Sequence, residues 1–181
     1  MAYVTPGTVA AGDVATAAAW NVITNDVINL RALANVQSVL LTSSLTQVVT
    51  TTFTNLTGMT VSITPTSNTS KILVHCFASV NQDAGVMAAL YRLARDGTGI
   101  LVGDAAGSRT SVSSGPHDDG DTKAAFVILD SPATTSAVTY TFQARGATGN
   151  ATIYFNRSKT DTNAADNVRS ASTIIVQEIP A

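Results

Sequence analysis

An antiparallel β-sandwich, of jelly-roll type, preceded by an extended arm and one short helix, is the fold this sequence predicts. Three observations carry that expectation. Of 181 residues, 27 are Thr and 16 are Ser, whereas Glu occurs once and Lys three times, so good helix formers are scarce and β-compatible residues abound. From Val36 onward, short apolar or alternating runs are separated by Gly, Asn, Asp, Ser and Pro, the pattern of short strands joined by tight turns. No repeat of fixed period is visible, which argues against propellers and β-helices. A chain of this length suits one core plus an appendage, because domains cluster near ~100 to 150 residues.

The elements follow in order. Residues 1–12 are rich in Thr, Gly and Ala and include Pro6, a composition that acquires order only against another surface. Asp13 or Thr16 can cap a helix whose first turns, Ala17, Ala18 and Ala19, have the highest helix propensity. The helix is expected to end near Ala34. Trp20, Ile23, Val27, Leu30 and Ala34 are spaced three, four, three, four, which places them on one stripe. Such a stripe can lie on the chain's own domain or join copies of the chain, although fewer than three heptads fit. Strands are expected at 36–41, 46–56, 59–64, 71–80, 86–95, 100–102, 108–112, 123–129, 138–145, 151–156 and 173–179. Turn residues punctuate them at Thr57-Gly58, Pro65 to Asn68, Asp96-Gly97, Gly115 to Gly120, Asp130 to Pro132 and Gly146 to Asn150. The layout is therefore an attachment or trimerisation segment, 1–35, and a sandwich, 36–181.

Composition narrows the function classes. A net charge of -2 and only ten Lys and Arg leave no electrostatic footprint for nucleic acid or an anionic membrane. No run approaches the ~18 apolar residues of a membrane span, and the first residues lack a secretory signal pattern, so synthesis and assembly in a cytoplasm are expected. The four Asn-X-Ser/Thr tripeptides, at Asn55, Asn68, Asn150 and Asn156, then carry no glycan. Cys76 lies in an apolar run and reads as a buried, inert thiol. His75 alternates with Leu73 and Phe77 and reads as a histidine at a core edge or protomer interface. The stretch Gly115 to Asp121 gathers three Asp and His117, but it lacks the alternating oxygen ligands of a Ca²⁺ loop, and a solvated turn is the simpler reading. Gly97-Thr98-Gly99 lacks the helix a phosphate loop needs. No catalytic residue, cofactor or metal site is assigned.

The residues resemble those of tailed-phage virion proteins. Thr5 to Val9, Gly12-Asp13, Thr16, Ala17 to Asn21 and Asn25-Asp26 through Leu30-Arg31 look like the attachment segment that begins many phage tail and capsid-surface proteins. Ser70 to Val74, the hairpin Tyr91 to Thr98, Asp130 to Pro132 leading to Tyr140, and Ser172 to Ile179 are similar to tumour-necrosis-factor-like trimeric knobs. The resemblance implies a homotrimer on the virion surface and transfers no active-site residue. The leading expectation is a non-enzymatic capsid cement or decoration trimer that binds other virion proteins, the major capsid protein first. Trp20, Ile23, Val27 and Leu30 would be its attachment residues. The alternative is a short tail fibre or receptor-binding knob contacting a host-surface glycan or receptor through loops such as 103–120. The absence of a shaft between helix and sandwich favours the compact decoration. A glycan-degrading enzyme would need carboxylates paired across a cleft, and a single Glu argues against it. The C-terminal strand is the most continuously apolar stretch, which predicts burial on both faces and places Ile175 in the trimer interface.

Overall fold

The computed structural model describes residues 16–82, 89–115 and 122–181. The arm 1–12, Asp13 and nearly all of the 115–121 loop lie outside the described residues. Among the described residues the chain runs through helix α1 (Ala17–Ala34) and ten strands: β1 (Val36–Leu41), β2 (Leu45–Val49), β3 (Thr54–Ile63), β4 (Lys71–Gln82), β5 (Ala89–Arg95), β6 (Thr98–Ile100), β7 (Thr122–Asp130), β8 (Val138–Gly146), β9 (Ala151–Phe155) and β10 (Ser172–Ile179). They form an antiparallel β-sandwich. One sheet has the order β1-β10-β4-β9-β2, with β7 on the free edge of β4, and the other has the order β3-β8-β5-β6.

Between the sheets lies one core. Ile72, Val74, Cys76, Ala78 and Val80 of β4 and Ile174 and Val176 of β10 face Met59, Val61 and Ile63 of β3, Tyr91 and Leu93 of β5, and Tyr140 and Phe142 of β8. Phe142 stacks on Tyr91 at 5.5 Å between ring centroids and meets Phe155 edge-on at 6.3 Å, contacts worth ~0.5 to 1.5 kcal/mol each beyond burial. Cys76 points into this core, and burial pushes its thiol up to about 12. Arg95 donates to both carboxylate oxygens of Asp130 at 2.8 Å, and Tyr140 donates to the same carboxylate at 2.7 Å. These three tie the sheets together at one end. Burial and the bond to Asp130 both raise the Tyr140 pKa, so the phenol stays protonated.

Where strands end without ladder partners, side chains substitute. Asn156, buried and at φ 53°, donates to the carbonyls of Leu41 and Ser43. Its carbonyl oxygen accepts from Ser172, whose hydroxyl in turn accepts the Ser79 amide. One polar chain therefore satisfies the backbone where β1, β4, β9 and β10 diverge.

Four sequence expectations are corrected. The single strand 46–56 is two, because residues 50–53 turn: the Thr50 hydroxyl accepts from the Thr52 amide, and Thr54 donates to the Thr52 carbonyl. Thr57-Gly58 is not a turn but a bulge inside β3, where pairing with β8 shifts between Asn55 and Thr60 and Gly58 takes φ 80°, open to glycine at no steric cost. Residues 108–112 form no strand, because that stretch is polar except for Val112 and can bury no face. Ser113 and Ser114 donate to the Tyr91 carbonyl instead. Finally, β10 is buried on one face only within the chain: Ile174 and Val176 are fully buried, whereas Ile175 is 39% exposed. The Asp96-Gly97 turn is as expected, with both residues at positive φ as a two-residue hairpin requires.

Candidate functional site: two uncovered apolar surfaces

The first surface is α1. Thr16 is its cap, accepting from the Ala19 amide at 3.3 Å. Trp20, Ile23, Val27 and Leu30 are between 43% and 64% exposed, so the structure places all four on one uncovered stripe. Only Ala32 is buried. At 100° per residue, Ala32 lies almost diametrically opposite the stripe. The helix therefore touches its own sandwich in its last turn, at Ala32, and leaves the stripe uncovered. Of the two uses open to the stripe, lying on the chain's own domain is excluded.

A buried carboxylate roots this helix. Glu178, the one glutamate in the chain, is completely buried. It accepts from the Asn35 amide group at 2.8 Å and from the Thr66 backbone and hydroxyl at 2.8 and 2.7 Å. Asn35 also donates to the Thr64 carbonyl, and its own carbonyl accepts the Glu178 amide. Burial alone would raise the carboxyl's pKa, but the hydrogen bonds from Asn35 and Thr66 outweigh it and hold it below the usual carboxylate range. The helix end, the 64–70 turn and β10 are thus pinned by one ion. Sequence reasoning missed this role, although a lone Glu in an apolar strand was a legible signal.

The second surface is the outward face of β1, β10, β4 and β7. Strand pairing arranges it in three rows: Val36, Gln177, Leu73 and Leu129; Ser38, Ile175, His75 and Val127; Leu40, Thr173, Phe77 and Ala125. Val36, Leu40, Phe77, Val127, Leu129 and Ile175 are exposed large apolar side chains. Ile175 lies in the middle row beside His75, so the residue expected at a trimer interface is on the open face. Gln177 donates to the Leu33 carbonyl, which brings the root of α1 to one corner of the face. At the opposite end Lys123 donates to Ser79 at 2.5 Å. Ile175 and its companions come from four separate segments, and only the register assembles them.

A groove flanks this face, lined by Leu101, Val102, Val112, Phe126 and Val127. Among the described residues no group of three or more His, Cys, Asp or Glu could hold a metal ion, and no helix is long and apolar enough to cross a membrane. No protein-family model and no curated protein sequence matches the chain.

Proposed function

We propose that this chain is a non-enzymatic structural protein of a bacteriophage virion. It acts as a homotrimeric capsid cement or decoration protein whose arm and α1 fasten it to the shell, while the sandwich caps neighbouring subunits. It is assembled in the host cytoplasm and carried on the virion surface. One observation supports this above the rest: the stripe of α1 and the outward face of β1, β10, β4 and β7 are apolar and left uncovered by the chain's own fold. The largest apolar patch a typical monomer exposes, ~300 to 600 Å², is often a functional surface. Identical copies can cover the sheet face, with Ile175 inside the contact, and the stripe remains for the shell. The adjacency of first, last and fourth strands, β1-β10-β4, supports the jelly-roll, tumour-necrosis-factor-like form of the sandwich.

The test is deletion of residues 1–34, followed by cosedimentation with capsids and, separately, with isolated tails. The full chain is expected to pellet with capsids and the truncated chain to stay soluble with its β circular dichroism intact. Binding of the full chain to tails alone would replace the decoration role by that of a short tail fibre. The open groove beside β7 is the observation that favours this second reading.

A further inference from the structure

The outward sheet face has an imidazole at its centre. His75 is flanked by Ile175 on β10 and Val127 on β7, and by Leu73 and Phe77 along β4. The groups facing it can be named strand by strand. β1 presents Val36, Ser38 and Leu40, and β10 presents Thr173, Ile175 and Gln177, none of them titratable. β4 adds Lys71 at one end and β7 adds Lys123 at the other. α1, which reaches the corner at Gln177, carries Arg31 in its last turn and Asp26 farther along. No carboxylate occupies an outward position of these four strands among the described residues. A protonated His75 would therefore find no counter-ion on the face.

We propose that this face is where copies of the chain meet, and that His75 makes their association sensitive to acid. The inference rests on the self-associating reading given above and adds a control to it. A second copy is the occupant that fits. Four strands at ~4.8 Å spacing and three outward rows span on the order of 400 Å², about half of the ~800 Å² per partner in a standard interface. A contact of that size belongs to the weak, reversible class, which suits one that a single protonation can open. The face also carries no charge at its centre, so identical copies bring no like charges together there. Burial disfavours the charged imidazole, so the free chain takes up the proton more readily than the assembly. Falling pH therefore draws the equilibrium toward free chains.

Light scattering of the full chain at pH 8 and pH 5.5, beside His75→Gln and His75→Asn, tests this, with circular dichroism to follow the fold. The wild-type mass is expected to be a multiple of 18.6 kDa at pH 8 and to fall toward one chain at pH 5.5, while both variants remain associated at both pH values. Glu178 stays ionised across this range, so the helix root is undisturbed. Equal wild-type mass at both pH values overturns the role of His75. So does acid dissociation that persists in both variants, which assigns the response to His117 or another group. A single-chain mass for the folded wild type already at pH 8 overturns the self-association reading itself.

Discussion

The two outward faces of this sandwich are built from the same β geometry and end up as opposites. On the β3, β8, β5 and β6 sheet, polar side chains satisfy one another. Arg92 donates to Gln143 at 2.8 Å and lies 3.9 Å over the ring of Phe53, Gln143 donates to Asn55 at 2.7 Å, and Ser62 pairs with Thr139 at 2.8 Å. That face needs nothing but water. On the β1, β10, β4 and β7 sheet, the outward rows are Val, Leu, Ile and Phe around one histidine, with few hydrogen bonds to make. Facing water costs the first sheet little and the second about 25 cal/mol for each Å² of apolar surface left wet. The difference supports the self-association proposed above: the apolar face is the one the chain itself leaves uncovered.

The sharpest way to break that contrast is to place one carboxylate on each face. Ile175→Asp is expected to abolish self-association, because an unpaired charge in a closed interface costs several kcal/mol. Ser62→Asp, on the polar face, is expected to leave the mass unchanged, and analytical ultracentrifugation of the pair reads both. Equal loss from both variants would mean the polar face is in the interface too.

A smaller effect is expected at Glu178, which joins the apolar face to α1 from behind. Glu178→Gln puts an amide against donors from Asn35 and Thr66 and is expected to cost about 1 to 3 kcal/mol in urea unfolding. The sign with pH is fixed by the depressed carboxyl: its contribution is present above the unfolded-state value near 4.5 and is lost as pH falls through the lower folded value. Wild-type stability should thus drop below about pH 4.5, and the variant should show less of that drop. The smallest change is Arg92→Ala on the polar face. Loss of its stacking on Phe53 and its bond to Gln143 is expected to cost ~0.5 to 2 kcal/mol and leave the oligomer intact, measured by thermal unfolding and light scattering.

By itself, the sequence determined the fold class and most of the elements, because both are written in local signals. The hydroxyl-rich, helix-poor composition, the alternation in β4 and β8, the Asp96-Gly97 turn and the three-four spacing of Trp20, Ile23, Val27 and Leu30 depend on near neighbours only. Local signals failed where a residue's role is set across the chain. Gly58 has the chemistry of a turn, and only pairing with β8 makes it a bulge. The continuous apolarity of β10 was legible, but one buried and one open face follow from a sheet that packs against β3 and β8 on one side alone. The stripe of α1 could have faced inward or outward until Ala32 was seen to be the contact. Val36, Leu73, His75, Val127 and Ile175 come together from four segments through strand register, a long-range property that no window of sequence contains. Tertiary structure decided which apolar residues the chain keeps for its core and which it leaves uncovered, because burial depends on what lies opposite a side chain in space.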